Sequence, residues 1–249
     1  MSGLSVSSQA SAGQQVFGSP AAAVDAIQAL VTDALAGRDR PRVLEAGAGK
    51  RTRFEVPDDA YVVGVDTDSV AMSHNHRLDE RIVGDLSRYT PAAGFDVITC
   101  WYVLEHVPAP AELLDLFASW TAPGGLVVLA VPHLHSPKSL LTKLTPHRFH
   151  VWFRRRVLGY PRAGTPGHGP YPTTLRPAIA PAAMTGILAP RGLVPVLEGF
   201  FEDGKQVAFR RRLRLTGAAW RGACAAVRAA SLGRLDAARS EYVLVLRRV

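Results

Sequence analysis

Short apolar runs, rich in β-branched residues, recur through the first half of the chain. They lie at residues 42–47 (RVLEAG), 60–66 (AYVVGVD), 81–85 (RIVGD), 95–101 (FDVITCW) and 125–132 (GLVVLAVP). Near-continuous apolar runs of this length are typical of parallel strands that are buried on both faces of a sheet. The pattern therefore predicts five parallel strands, separated by helices and loops.

Two segments between or before these runs have helical spacing. Ser19 has the side chain of an N-cap, Pro20 suits the first helical position, and Gly37 is a typical stop. Residues 109–125 carry helical apolar spacing and end in Pro-Gly-Gly, between the fourth and fifth runs. This segment predicts a helix that forms a right-handed crossover between two parallel strands.

The pattern changes after the fifth run. Residues 133–177 mix short amphipathic pieces with a stretch rich in proline and glycine, and a segment this long between two strands favours a substrate lid. Further strands are predicted at 193–202 and 241–248, with a basic, alanine-rich helical insertion at 205–239 between them.

The composition fits one domain. The chain has 249 residues, 47% of them hydrophobic and 20% charged, which is enough for one sizeable core. Residues 1–18 are polar and lack the apolar centre of a signal peptide, so we predict a flexible leader there and a single domain over 19–249. Cys100 and Cys224 match no zinc, haem or redox spacing, which favours the reducing cytoplasm.

The charge is divided unevenly along the chain. Up to Asp115 there are 9 Lys/Arg against 16 Asp/Glu, a net of −7, and beyond it 20 against 5, a net of +15, which sum to the total of +8. Such a basic half suits an anionic substrate, an anionic lipid surface or nucleic acid, although a solvated basic face explains it equally well. Residues 213–238 allow peripheral membrane contact through an interfacial helix, or a cover helix that packs on the sheet.

Polar residues follow four of the predicted strands at the end where ligands of open α/β sheets bind. Glu45 precedes Gly47 and Gly49, whose missing side chains let backbone N–H groups approach a ligand. The carboxylate of Asp66 can accept from both hydroxyls of a ribose, and that of Asp85 from an exocyclic amine. The fourth strand ends in aromatic and apolar residues that can flank a purine or a methionine tail: Cys100, Trp101 and Tyr102.

A nicotinamide dinucleotide would use the same acid after the second strand. Its fingerprint needs a third small residue, at Thr52 in this register, and a long helix that holds the pyrophosphate. Neither is present. A ligand with one ribose, one adenine and an amino-acid tail has no pyrophosphate, and Lys50, Arg51 or Arg53 can meet its carboxylate.

Five motifs occur in order between residues 42 and 133: VLEAGAG, YVVGVD, IVGDL, FDVITCWYVLEHV and APGGLVVLAVPH. Together they resemble the class I S-adenosylmethionine-dependent methyltransferases, especially the bacterial small-molecule group akin to the ubiquinone-biosynthesis O-methyltransferases. The final run EYVLVLRR resembles the antiparallel seventh strand of that family. The resemblance implies an α/β fold with a doubly wound, seven-stranded, mostly parallel Rossmann-like sheet, a lid after strand 5, and S-adenosyl-L-methionine as cofactor.

The resemblance also implies a set of cofactor-binding residues. They are Glu45, Ala46, Gly47, Gly49, Asp66, Thr67, Asp85, Leu86, Cys100 and Trp101. It places the two glycines beside the methionine part, Asp66 at the ribose, and Asp85 with Leu86 at the adenine. The sequence departs from the family at Arg51, which stands where a third glycine is usual.

Methyl transfer to a hydroxyl or an amine needs collinear reactants and a group that takes up the proton. His133, at the end of the fifth strand, and His150, among aromatic residues, are the candidate bases. His147 and His150 are spaced i, i+3, but no carboxylate lies in the surrounding acid-free stretch, so we predict no metal site.

Two other functions compete with that of a small-molecule methyltransferase: a nucleic-acid methyltransferase and a non-catalytic scaffold. The Asn/Asp-Pro-Pro-aromatic signature of DNA amino-methyltransferases is absent, since CWYVLE stands in its place, so no nucleic-acid partner is expected. Arg51 makes a non-catalytic, cofactor-binding scaffold conceivable, but the acids Glu45, Asp66 and Asp85 argue against it. We therefore predict O- or N-methylation of a small-molecule acceptor, and the basic half of the chain is compatible with either an anionic or a lipid-linked intermediate.

Overall fold

A single eight-stranded sheet forms the centre of the protein in the computed structural model, which describes residues 13–249. The strands are β1 Gln15–Val16, β2 Arg42–Ala46, β3 Tyr61–Asp66, β4 Glu80–Val83, β5 Phe95–Trp101, β6 Thr121–Pro132, β7 Leu193–Phe201 and β8 Glu241–Arg248. They lie in the order β1-β7-β8-β6-β5-β2-β3-β4. Only β8 runs antiparallel to its neighbours, so the mostly parallel sheet predicted from the apolar runs is confirmed.

The predicted count of seven strands was one short. The additional strand is the two-residue β1, which pairs in parallel with β7. Next to it, Phe17 N donates to Phe200 O at 2.8 Å, and the ring of Phe17 occupies space that a Cβ on Gly199 would fill. The flexible leader predicted for 1–18 therefore does not hold at the β1 residues, while residues 1–12 lie outside the described part of the chain. A short polar strand held by backbone pairing leaves no hydrophobic pattern to read.

Eight α-helices flank the sheet in the described residues. They are α1 Pro20–Leu35, α2 Ser69–Met72, α3 Pro110–Trp120, α4 Pro137–Leu144, α5 His147–Arg156, α6 Pro181–Leu188, α7 Gly204–Arg212 and α8 Gly217–Ala230. The helix α1 begins as predicted, because the hydroxyl of Ser19 accepts from Ala22 N at 3.1 Å. The helix α3 forms the predicted crossover from β5 to β6.

The sheet is buried on both faces. Alternate residues of the same strand enter two different hydrophobic clusters, as Val43 does on the α1 side and Leu44 on the α3 side. On the α1 side Ile27 packs with the sheet, and on the other side Phe117 of α3 does so. Apolar side chains are therefore required at consecutive strand positions, which explains the continuous runs in the sequence.

The topology gathers several chain segments at one edge of the sheet. The carboxyl ends of β2, β3, β5, β6 and β7 meet there, together with the start of the antiparallel β8. The segment predicted as a lid, 133–177, follows β6 and contains α4 and α5. The segment 205–239, between β7 and β8, contains α8 and nearly all of α7.

We expect Phe117→Ala to lower the free energy of unfolding by about 3–5 kcal/mol, because it removes a fully buried ring and leaves a cavity under the sheet. Urea denaturation followed by circular dichroism measures the change. Leu232→Ala is the control, since this side chain is 85% exposed and its loss should cost no more than about 0.5 kcal/mol. Equal losses in the two variants would contradict this account of the core.

Candidate functional site

The turn after β2 is held tightly against its neighbours. Gly47 N donates to Val65 O at 2.8 Å, and Gly49 N donates to Asp66 Oδ2 at 2.8 Å. Gly47 has φ +76°, and a Cβ at this position would lie 2.2 Å from Cγ2 of Val103. Glycine is required there both by the backbone conformation and by the close approach of the chain that follows β5.

Asp66 joins this turn to the segment after β3. Its Oδ1 accepts from Asp68 N at 2.8 Å while its Oδ2 accepts from Gly49 N, so one carboxylate orders two loops. Thr67 lies between Asp66 and Asp68 in the chain and is exposed. Asp68 in turn caps α2 by accepting from Ala71 N at 2.9 Å.

Asn75 forms a second set of hydrogen bonds that hold the turn after β2. The side chain of Asn75 is buried and donates to Ala48 O at 3.1 Å, while Thr52 Oγ1 donates to Asn75 Oδ1 at 3.3 Å. Arg51, which replaces the family's usual glycine, is exposed.

Glu45 is a buried acid at the end of β2. Its Oε2 accepts from Thr99 Oγ1 at 2.8 Å, whereas its buried Oε1 has no hydrogen-bond partner in the described residues. Burial raises the pKa of Glu45 to about 7, against the opposing effects of the Thr99 hydrogen bond and the nearby Arg53. Ala46 is buried beside it.

Asp85 stands at the end of β4 and is exposed. Its carboxylate accepts from the backbone N and the hydroxyl of Ser87, each at 2.9 Å, and these hydrogen bonds hold the pKa of Asp85 below its usual value. Leu86 beside it is buried in the core. The pair thus offers a charged acceptor next to an apolar residue.

The end of β5 presents an aromatic side chain rather than a thiol. Cys100 is fully buried in the core, where burial and the nearby Glu105 raise the pKa of its thiol. Trp101 is half-buried, packs edge-on against Phe54 at 5.7 Å between ring centroids, and lies beneath the Arg53 guanidinium at 4.9 Å. Of the three residues predicted to flank a ligand, Cys100 is buried in the core, whereas Trp101 and Tyr102 are partly exposed.

An ion cluster, here called the Lys138 cluster, consists of Lys138, whose side chain is 40% exposed, the half-buried Asp203 and the buried Glu241. Lys138 Nζ donates to Glu241 Oε1 at 2.5 Å and to Asp203 Oδ2 at 2.8 Å, which ties α4 to the end of β7 and the start of β8. Glu241 is 1% exposed, and its Oε2 has no hydrogen-bond partner in residues 13–249. Burial raises the pKa of Glu241 to about 7, although the charge of Lys138 opposes this.

Tyr102 and Glu105 lie close to the Lys138 cluster. Burial raises the pKa of Tyr102 well above its usual value, and the charges of Glu241 and Asp203 add to the effect. Tyr102 has φ +58°, a conformation that is uncommon outside glycine and that often occurs at functional sites. Burial, with a contribution from Glu241, raises the pKa of Glu105 to about 8, and its Oε2 is a third buried oxygen without a described partner.

The segment 133–177 lies over this edge of the sheet. Gly167 N and the Tyr171 hydroxyl each donate to Asp68 Oδ2 at 2.7 Å, and Thr174 N donates to Glu105 O at 2.7 Å. Burial alone would raise the pKa of Asp68. The hydrogen bonds that its carboxylate accepts from Tyr171, Ala71 and Gly167 outweigh this effect and lower the pKa. The segment is thereby attached beside the turn that carries Asp66.

The two candidate bases lie on different elements. His133 Nδ1 donates to Arg239 O at 2.9 Å, its ring packs on Phe200 at 4.9 Å, and burial lowers its pKa. His150 is on α5, with Nε2 3.0 Å from the hydroxyl of Thr145. The described structure brings these histidines into no direct contact, so they are separate candidates.

His133 also lines an open cavity of about 210 Å³. The other lining residues are His135, Arg228, Gly233, Arg234, Leu235, Asp236 and Arg239. Arg239 forms an ion pair with Asp236 at 3.3 Å, whereas Arg228 and Arg234 have no carboxylate partner within residues 13–249. The cavity is therefore positively charged. No group of three or more His, Cys, Asp or Glu side chains in these residues could hold a metal ion.

The family of proteins described as "Methyltransferase domain" matches residues 20–173, which is more than half of the chain. The chain belongs to this family. The matched segment runs from α1 to the end of the loop over the sheet edge and contains all ten residues with a predicted cofactor role. The predicted family membership is thus confirmed, whereas the roles of the individual residues stay predictions.

Curated relatives of this methyltransferase-family chain include ubiquinone biosynthesis O-methyltransferases. That of Psychrobacter cryohalolentis is 35% identical over 121 residues, which cover 43% of this chain and 45% of the relative. That of Hahella chejuensis is 31% identical over 131 residues, or 45% of this chain and 55% of the relative. The chain spans about half the length of the curated relatives it matches.

Solved structures extend the likeness to nearly the whole chain. A SAM dependent methyltransferase from Archaeoglobus fulgidus has a TM-score of 0.50 at 16% identity, and the match covers 90% of this chain and 94% of the other. At this level of identity the match shows a shared fold. The class I methyltransferase fold implied by the sequence motifs is thereby confirmed.

The sequence patterns did not predict a role for several polar residues at this edge: Asp68, Asn75, Lys138, Asp203 and Glu241. Two had a visible signal. Glu241 is an acid directly before a continuous apolar strand, and Lys138 lies in the segment that lacks any acid to pair with it locally. Their partners come from elements 65 and 103 residues away, and such pairings depend on the tertiary structure.

We expect the stability of the wild type to decrease more steeply than that of Glu105→Gln between pH 5.5 and 8.5. The folded state holds a proton on Glu105 up to pH about 8, whereas the unfolded carboxyl releases it near the ordinary glutamate pKa of 4.5. Raising the pH through this window therefore favours unfolding of the wild type, by on the order of a few kcal/mol. Urea titrations at pH 5.5, 7.0 and 8.5 measure the difference.

Glu112→Gln is the matched control for this experiment, because Glu112 is an exposed acid of α3. Its stability should follow the wild-type pH profile. Parallel profiles for the wild type and Glu105→Gln would show that Glu105 is ionised in the folded protein, contrary to this prediction.

Proposed function

We propose that this protein transfers a methyl group from S-adenosylmethionine to the hydroxyl of a small anionic acceptor. The observation that carries the proposal is the convergence of the Gly47–Gly49 turn, Asp66 and Asp85 at one edge of the sheet, with Asp66 hydrogen bonded directly to the turn. Support for a hydroxyl acceptor comes from the relatives, which are O-methyltransferases by name.

The residues at this edge fit the parts of the cofactor. A carboxylate offers about four lone-pair sites, and each oxygen of Asp66 takes one backbone hydrogen bond, so capacity remains for two ribose hydroxyls. The unpartnered Oε1 of Glu45 suits the ammonium group of the methionine part. Asp85 offers an acceptor for the adenine amine and Trp101 an apolar wall.

When bound, S-adenosylmethionine supplies a methyl group on a positively charged sulfur, and this sulfur is the leaving group when a nucleophile attacks the methyl carbon in line. The protein's contribution is mainly to hold the reactants collinear, since positioning alone accounts for a large share of such rate accelerations. The loop over the edge, attached through Asp68 and Glu105, restricts the access of water.

His133 is the base we favour for the acceptor proton. Its Nδ1–H is committed to Arg239 O, so Nε2 carries the free lone pair. Burial lowers the pKa of His133, which keeps the ring neutral and able to accept a proton near pH 7. His150 Nε2, by contrast, already faces the hydroxyl and the carbonyl of Thr145.

The cavity beside His133 supports an anionic acceptor. Arg228 and Arg234 can each donate charge-assisted hydrogen bonds to a phosphate or carboxylate, and neither is neutralised by a described carboxylate. This assigns a function to part of the excess positive charge beyond Asp115. We place the reaction in the cytoplasm, in line with two free cysteines, Cys100 and Cys224.

We expect calorimetric titration to show micromolar binding of S-adenosylmethionine and S-adenosylhomocysteine and no binding of NAD. Asp66→Asn should weaken binding roughly 10- to 150-fold, because a charged hydrogen-bond acceptor contributes about 1.5–3 kcal/mol. Asp25→Asn is the matched control, since Asp25 is an exposed aspartate of α1.

A thermal melt of each variant checks that the turn still folds, because Asp66 also holds Gly49. A well-folded wild type that binds neither sulfur compound would refute the cofactor assignment. Equal affinities of wild type and Asp66→Asn would remove Asp66 from the site while leaving the family assignment in place.

We expect acceptors with a phosphate or carboxylate to be methylated faster than their neutral analogues, measured as release of S-adenosylhomocysteine across a panel of matched hydroxyl compounds. For the acceptor with the highest rate, Arg234→Gln should raise KM about tenfold or more and change kcat little, because it removes a binding charge and not the base. Arg221→Gln on α8, which does not line the cavity, is the control. A preference for neutral acceptors would overturn the anionic assignment.

A further inference from the structure

The outer face of α4 and α5 exposes an unusual number of large apolar side chains. Their exposed fractions range from 38% to 72%. They are Leu140, Leu141 and Leu144 on α4, Phe149 and Trp152 on α5, and Val157 and Tyr160 directly after α5, and we call this surface the α4–α5 face. Seven of the fifteen large hydrophobic side chains that are exposed in the described residues therefore fall between Leu140 and Tyr160, and a concentration of this kind marks an interaction site.

Helical spacing puts these side chains on one side of each helix. Leu140, Leu141 and Leu144 are spaced i, i+1, i+4 on α4, whose other side carries the buried Ser139. On α5, Phe149 and Trp152 are spaced i, i+3, with ring centroids 5.7 Å apart. Only residues 145–146 separate the two helices, and His150 of α5 contacts Thr145 of this connection, so both sets of apolar side chains belong to one short segment of the chain.

The same segment is strongly basic. Lys143, Arg148, Arg154, Arg155 and Arg156 lie on or beside these helices, and none of them pairs with a carboxylate in residues 13–249. The sequence has no acid between Asp115 and Glu198. An apolar face flanked by unneutralised cations is complementary to an anionic lipid surface, where acyl chains receive the apolar side chains and headgroups meet the cations.

We propose that the α4–α5 face docks on an anionic lipid bilayer. No helix in the described chain is long and apolar enough to cross a membrane, so the contact is interfacial. The inner side of the same helices reaches the sheet edge, since Lys138 of α4 holds Glu241. Docking therefore brings the candidate active site next to the membrane surface.

This position differs from the membrane contact that the sequence alone suggested for residues 213–238. Within that segment the exposed large apolar side chains are Leu213 and Leu232. Leu213 precedes α8 in the chain and Leu232 follows it. Tryptophan, the residue most typical of membrane interfaces, is exposed at Trp152 but half-buried at Trp220, under the Arg210 guanidinium. The contact predicted for 213–238 stays untested, and the α4–α5 face exposes more of the large apolar side chains.

Co-sedimentation of the full chain with vesicles tests the proposal without any need for methyl transfer. At low salt we expect binding to phosphatidylglycerol vesicles and little binding to phosphatidylcholine vesicles, with a marked loss at 0.5 M NaCl. The double variant Leu144→Ser/Trp152→Ser should bind at least about tenfold more weakly. The charge variant Lys143→Gln/Arg148→Gln should lose about fivefold per removed charge.

Leu232→Ser is the matched control, because it removes an equally exposed leucine outside the α4–α5 face and should leave vesicle binding unchanged. Circular dichroism confirms that each variant is folded. The proposal would be overturned by a wild type that stays in the supernatant with phosphatidylglycerol vesicles, or by a loss of binding in Leu232→Ser alone. Light scattering that shows a dimer for the wild type and a monomer for the double variant, without vesicle binding, would assign the face to a second copy of the chain.

Discussion

Burial of the central strands on both faces is the constraint on which the rest of this structure depends. A polar side chain inside such a strand must find a partner within the sheet, because leaving a buried polar group unsatisfied costs about 1–3 kcal/mol. Thr99 and Glu45 meet this condition only partly, through one hydrogen bond between them. Most polar groups are instead displaced to the ends of the strands. In a parallel sheet those ends share one edge, which is how residues from distant parts of the chain come to face a single ligand.

That edge has a buried region that is rich in acids and an exposed region that is rich in arginines. Inside, the buried acids Glu45, Glu105 and Glu241 each keep an oxygen without a described partner, and burial raises the pKa of all three. Lys138 neutralises part of this charge. Outside, arginines of the acid-free segment and of the cavity beside His133 present positive charge. An anionic molecule would thus be attracted from solution, while donors on the ligand would meet unsatisfied carboxyl oxygens within.

The boundary of the family match separates two parts of the site. Residues 20–173 contain the glycine turn and the acids assigned to the cofactor. Asp203, Arg234 and Glu241 lie beyond it, yet they reach the same edge because β8 inserts antiparallel between β6 and β7. Six of the eight residues that line the cavity beside His133 also come from beyond the family match.

Local sequence patterns determined the seven strands β2 to β8, the first helix, the crossover through α3 and the family to which the chain belongs. These features depend on apolar spacing, capping residues and turns, all of which act over a few neighbouring positions. The position of Asp66 beside Gly49 was also expected, because adjacent parallel strands end together.

Only the tertiary structure decided which side of each strand faces the ligand and which distant residues pair. Cys100 and Trp101 are neighbours in the chain, but strand alternation sends the first into the core and leaves the second at the edge. The strand β1, the Lys138 cluster and the α4–α5 face depend on contacts between remote segments. The chain carries no local mark of these contacts, because their free energy arises when the sheet assembles and excludes water from the groups that meet there.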